Sequence, residues 1–350
     1  MSLGLVPGPG RAQSLAARLS DYQAALRVTS VAGVTAKSFS GVAFHPGTRT
    51  LYVVDNDNAN VYELDTTGVL RRTLATSGIT DPEGIAYQSD DNFLISEEGL
   101  ANVLRLKLPR TGTGPVARAS GAMLNLGPNM ANSGIEGVAY RAVDRTAFAV
   151  KEIDPPRMYR IALDSSGVPT TAFPGEPFDI GSKTGDVADI AALEDGNFIL
   201  VDQEQDRLEG YDSKGKSLAT LTLGMSKPEG IALDAATGTI YVVGEPAEFA
   251  VFRPKPGTGA SHSHREADFT VTSPPAGTEA GPGRFIRLSL RQDAFVRVSI
   301  LAANGIWMDV RQGRLGAGSH DIGLGTLSAG VTLCRIIAGP RERIIKVLSF

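Results

Sequence analysis

Acidic residues recur at two regular places in this 350-residue chain. Ser40, Glu83, Glu136, Asp189 and Glu229 each open a short apolar segment. Asn56, Glu98, Glu152, Glu204 and Glu245 follow them 15 or 16 residues later. Eight of these ten positions are carboxylates. Two carboxylates ~5 Å apart repel by roughly 3 kcal/mol at an effective dielectric near 20. A group of them needs a cation, basic neighbours or raised pKa values. The nearest basic residues in sequence are Lys151 and Lys227, so a bound divalent cation is the simplest resolution. All-oxygen donors select a hard ion, and a roomy ring suits Ca²⁺ better than octahedral Mg²⁺. Zinc is disfavoured because neither set contains His or Cys. Glu83, Glu136, Asp189 and Glu229 are therefore the expected metal ligands. Glu98, Glu152, Glu204 and Glu245 are the candidates for an outer shell or a catalytic base. The competing reading is structural, with each acid capping a turn or binding the backbone amides of the next repeat.

The elements that must position these residues are repeats. Ser40-Gly41-Val42-Ala43-Phe44, Glu83-Gly84-Ile85-Ala86-Tyr87, Glu136-Gly137-Val138-Ala139-Tyr140, Asp189-Ile190-Ala191-Ala192-Leu193 and Glu229-Gly230-Ile231-Ala232-Leu233 align, with first residues 43, 53, 53 and 40 apart. Each is followed by a polar turn and a second run rich in β-branched and aromatic residues, such as Thr50-Leu51-Tyr52-Val53-Val54. A third strand follows, such as Val61-Tyr62-Glu63-Leu64, and then a fourth. Periods of this size match a four-stranded propeller blade. The fold class is thus all-β: a five-bladed propeller over 27–255, with a divergent sixth blade as the alternative. The fifth unit lacks a fourth strand, and Leu26-Arg27-Val28-Thr29-Ser30-Val31 is available to close the ring. In a blade the first two strands form an antiparallel hairpin, so the start of one lies beside the end of the other. Both acidic sets then converge on one mouth of the central channel.

Composition narrows the function classes. With 34 basic and 38 acidic residues the formal net charge is −4, which offers no nucleic-acid footprint. No run of 18 apolar residues reads as a membrane span. The only cysteine, Cys334, lies in an alternating strand pattern, and Trp307 is the only tryptophan. His262 and His264 fall in a linker, and no Ser/His/Asp arrangement, P-loop or dinucleotide fingerprint occurs. Residues 1–26 read as a leader remnant or an unstructured start, and 256–267 as a linker. Residues 268–350 alternate as strands and read as a small Ig-like β-sandwich.

The segments Asp81-Pro82-Glu83-Gly84-Ile85-Ala86-Tyr87, Ile135-Glu136-Gly137-Val138-Ala139-Tyr140, Val150-Lys151-Glu152, Asp186-Val187-Ala188-Asp189, Pro228-Glu229-Gly230-Ile231-Ala232-Leu233 and Gly244-Glu245-Pro246 together resemble the SdiA-regulated β-propeller family. The resemblance covers ~27–255. It implies a bacterial propeller that is extracellular, periplasmic or attached to the cell envelope, and that is able to hold calcium. More distantly, the acid-lined mouth is similar to gluconolactonase- and paraoxonase-type propellers, which are calcium-dependent hydrolases. The run from Gly316 to Leu348 resembles the C-terminal β-sandwich of FlgD-like and secretion-sorting domains, although Thr332 stands where those domains carry an aromatic residue. Two functions are expected from these features. One is an exported Ca²⁺-binding propeller that takes a small-molecule ligand and hydrolyses an ester, lactone or phosphoester. The other is a non-catalytic module that binds a cell-surface partner, with structural channel acids.

Overall fold

The computed structural model describes residues 13–36, 38–129, 133–181, 183–256, 269–272, 285–291, 294–301, 307–325, 330–338 and 341–349. The His262/His264 pair lies outside them. The described residues form two compact units, one from the repeats and one from the C-terminal strands. No described helix is long and apolar enough to cross a membrane.

The repeats make a ring of four-stranded antiparallel sheets, of which the described residues contain five. Their innermost strands are Phe39–His45, Pro82–Ser89, Ile135–Arg141, Val187–Ala192 and Pro228–Asp234. These strands neighbour one another in a closed cycle, the last returning to the first. The second strands are Thr50–Asp55, Asn92–Glu97, Thr146–Lys151, Phe198–Asp202 and Thr239–Gly244. The fourth strand of the last sheet comes from the other end of the unit: Tyr22–Val28 pairs antiparallel with Glu248–Pro254. This closes the ring as the repeat pattern requires, and removes the open edges of an unclosed array.

The near-continuous apolar strands follow from burial on both faces. Leu51 and Val53 pack toward Tyr241, Val243 and Phe249 of the last sheet, while Tyr52 and Val54 pack toward Ile85, Phe93 and Ile95 of the next. Successive side chains point to opposite faces, so every strand between two sheets must be apolar at odd and even positions alike. Separate apolar clusters fill each of the five junctions around the ring. The unit also begins earlier than residue 27. Leu15–Asp21 is a 3₁₀ helix whose Ala16 and Leu19 are fully buried in the junction of the last two sheets.

In the C-terminal unit a three-stranded sheet (Phe269–Thr272, Phe285–Leu290, Gly318–Gly323) and a four-stranded sheet (Trp307–Leu315, Ala294–Leu301, Gly330–Ala338, Arg341–Ser349) share one core. Phe269, Ile286 and Leu288 from the first meet Val296, Val298, Cys334 and Ile336 from the second. Cys334 is a buried core residue whose thiol burial pushes up to about 11.

Candidate metal centre

A register shift opens each hairpin between inner and second strands. The shifts fall between Phe39 and Val42, Pro82 and Ile85, Ile135 and Gly137, Val187 and Asp189, and Pro228 and Gly230. A bulge of this kind re-aims one side chain out of the ladder. Counting by strand pairing, the re-aimed residues are Ser40, Glu83, Glu136, Ala188 and Glu229. One residue beyond each second strand stand Asn56, Glu98, Glu152, Gln203 and Glu245. The backbone N–H groups of the last four donate equivalently to the carbonyls of Asp81, Gly134, Asp186 and Lys227.

Two expected site residues therefore sit elsewhere. Asp189 occupies the place held by Gly41, Gly84, Gly137 and Gly230 in the other sheets. Those glycines let adjacent inner strands touch: a Cβ on Gly84 would lie 2.7 Å from both the Glu136 carbonyl and the Val138 nitrogen. Asp189 instead sends its carboxylate across the gap, only 2% of the residue being exposed. Its Oδ1 accepts from the Ile190 N–H at 2.8 Å and its Oδ2 from the Ile231 N–H at 2.9 Å. The Val138 N–H adds to these bonds. Burial pushes this carboxyl well up, and the three backbone donors oppose the shift. Glu204 lies one residue past the equivalent position and is exposed. Gln203, which fills that position, donates to Glu229 at 2.5 Å.

The remaining acids separate into two halves of the mouth. Glu83 lies with Glu98 and Asp81, ligand oxygens all within 4.8 Å of one another, and Glu98 also lies within that distance of Glu136 and Glu152. Asp81 was not among the residues that spacing singles out. It precedes the repeat segment by two residues and is held at φ 52°, in the left-handed region. Among the described residues no salt bridge reaches any of these five carboxylates. The donors of the mouth divide between the two halves. Lys227 pairs with Glu245 at 3.0 Å, and Ser38 donates to the same carboxylate at 3.0 Å. Asn56 donates to Glu83 at 2.8 Å, and Gly134 N–H to Glu98 at 3.1 Å.

Crowding and burial show in the proton affinities. Burial, then Asp81 and Glu98, push Glu83 up to about 7 against its bonds from Asn56 and Ser40. Glu98 rises to about 7 through burial and Asp81, with Gly134 N–H opposing. Glu152 reaches about 7 by burial together with Asp186 and Glu83. Glu136, 8% exposed, is raised well above the usual range by burial and then by Glu83, Glu98, Glu152 and Glu229. Glu229 reaches about 9, mainly by burial, with Glu83 and Glu245 adding to it.

A family model described as SdiA-regulated matches residues 14–253. The chain belongs to the SdiA-regulated family. Its match begins at the 3₁₀ helix that the repeat spacing left outside the propeller. Among solved structures, this SdiA-regulated chain is similar to the calcium-binding protein regucalcin of Agrobacterium tumefaciens, at 14% identity and TM-score 0.45 over 65% of this chain and 93% of that one. It is similar to a gluconolactonase of Xanthomonas campestris at 14% identity and TM-score 0.45, over 68% and 91%. It is also similar to a streptogramin B lyase at 12% identity and TM-score 0.39, over 94% and 98%.

Proposed function

We propose that the mouth of the ring is a divalent-cation site, calcium by preference, serving hydrolysis of a small ester, lactone or phosphoester. The observation that carries this reading is the convergence of Asp81, Glu83, Glu98, Glu136 and Glu152 with no salt bridge to any of them among the described residues. The donor set fits a hard ion, since every ligand atom is oxygen. The Asn56 Oδ1, beside Glu83, is buried and has no hydrogen-bond partner. Such an acceptor is costly to leave unmet in a folded protein.

Asp81, Glu83, Glu98, Glu136 and Glu152 would hold the cation, which would supply Lewis-acid polarisation of a scissile oxygen and acidify water there. The residues of the chain supply the rest. Glu229 stands outside both carboxylate groups and is pushed up to about 9, mainly by burial, which favours its protonated form. Gln203 orients it, and a protonated carboxyl in that place can donate to a departing alkoxide. Lys227 offers positive charge on the same side and is felt electrostatically by Glu229, Asp186 and Glu152. An anionic or oxygen-rich group of a substrate would be held on that side while its scissile bond faces the five acids.

The test is a screen of aryl esters, lactones and phosphoesters with calcium and with EDTA, run on the wild type, Glu98→Gln and Glu229→Gln. Calcium-dependent turnover that Glu98→Gln abolishes is expected. Turnover indifferent to EDTA and to both substitutions would reject the reading.

A further inference from the structure

Resting on the cation-binding reading above, we propose that the mouth is a two-cation centre. The Glu98 carboxylate bridges one ion held by Asp81 and Glu83 and a second held by Glu136 and Glu152.

The arrangement of oxygens argues for two ions. The acids form two triads, Asp81/Glu83/Glu98 and Glu98/Glu136/Glu152, and Glu98 is common to both. Calcium binds oxygen at ~2.4 Å, so two ligands on one ion lie no more than about 5 Å apart. Each triad meets that limit, but the five residues together do not form one such group. One ion in either triad leaves the other two carboxylates facing Glu98 with no cation.

The first half also carries a buried acceptor without a donor, and the second a buried acid paired with another acid. In the first, Asn56 Oδ1 is buried and unbonded while its amide holds Glu83. In the second, Glu136 is 8% exposed, and the side chain it bonds to is another acid, Glu98, with Glu152 beside it. The rest of the mouth supplies no substitute, because Lys227 is engaged by Glu245 and Gln203 by Glu229. A carboxylate shared by two triads, with a separate pair of acids on each side, is the arrangement by which hard cations are held as a pair.

The experiment is a calorimetric calcium titration of the full chain after EDTA stripping, with bound calcium per chain measured independently after equilibrium dialysis. The wild type is expected to take up two ions. Asp81→Asn and Glu152→Gln remove ligands of different triads, so each should take up one. Glu98→Gln should weaken uptake of both ions at least tenfold. Circular dichroism and the unfolding midpoint in EDTA verify that each variant is folded. Because Asp81→Asn and Glu152→Gln bracket the bridge from either side, a folding failure of Glu98→Gln leaves the test intact. Uptake of one ion by the wild type, lost equally in all three variants, would overturn the bridged pair while leaving the single-cation reading standing. No uptake by folded wild type would overturn both.

Discussion

Replacing Asp189 by asparagine separates a structural carboxylate from a metal ligand. The Asp189 oxygens accept the Ile190 and Ile231 N–H groups at 2.8 and 2.9 Å, with the Val138 N–H also contributing. Asparagine keeps one oxygen and turns an NH₂ group toward the donor that the other oxygen had served. One buried backbone N–H then faces another donor. Leaving such a group unpaired costs about 1–3 kcal/mol, and a hydrogen bond to a charged acceptor is worth about 1.5–3 kcal/mol. Asp189→Asn is therefore expected to lower the unfolding free energy by about 2–4 kcal/mol. The assay is urea unfolding followed by circular dichroism, with EDTA and with calcium. The variant should be weakened alike in both, keeping the full calcium-induced gain of the wild type. A variant of wild-type stability in EDTA that loses the calcium gain would show Asp189 to be a ligand and would refute its role as a bridge between inner strands.

Other outcomes follow from the same geometry. In EDTA, Glu83, Glu98, Glu152 and Glu229 bind protons more tightly folded than unfolded, with folded values of about 7, 7, 7 and 9 against 4.5. Their contribution is therefore complete below pH ~4.5 and is lost as pH rises through 7 and then 9. The melting temperature in EDTA should fall across that window and calcium should flatten the fall. For buried Glu83 alone the difference amounts to about 3 kcal/mol, and a profile flat in EDTA would contradict the raised values. Gly84→Ala should cost about 3 kcal/mol in urea unfolding, because its Cβ would meet backbone of the neighbouring inner strand at 2.7 Å. Arg118 pairs with the fully buried Glu97 at 2.7 Å, so Arg118→Met should cost about 3–5 kcal/mol by the same measurement, and Glu97→Gln added to it should recover part of the loss.

The ring was legible because its signals are periodic. Each apolar hairpin recurs with turn residues between, and the missing fourth strand at one end matches the spare strand at the other. What blurred the site was a one-residue displacement in the fourth sheet. Matching acid to acid aligns Asp189 with Glu136. Matching the dyad Ile190-Ala191 with Ile85-Ala86 aligns Ala188 with the glutamates and Asp189 with the glycines, as strand pairing does. Likewise Phe198 answers Phe93, which carries the count to Gln203 and leaves Glu204 outside. A bulge adds a residue to one strand only, so spacing between acids cannot report register. Asp81 was hidden for a related reason: its backbone turns through the left-handed region just before the strand, a conformation that residue type alone does not reveal. The N-terminal helix carried no repeat signal, because Ala16 and Leu19 pack into a junction that exists only once the ring has closed.

The measurement closest to the central claim is the melting temperature of the EDTA-stripped full chain at pH 7.5, with and without calcium and with magnesium as control, in the wild type and Glu98→Gln. A rise with calcium in the wild type, smaller with magnesium and absent in Glu98→Gln, is expected if the five acids hold a hard cation. Equal melting of the wild type with calcium and with EDTA would contradict it and leave the acids of the mouth as structural residues that fold with their protons on.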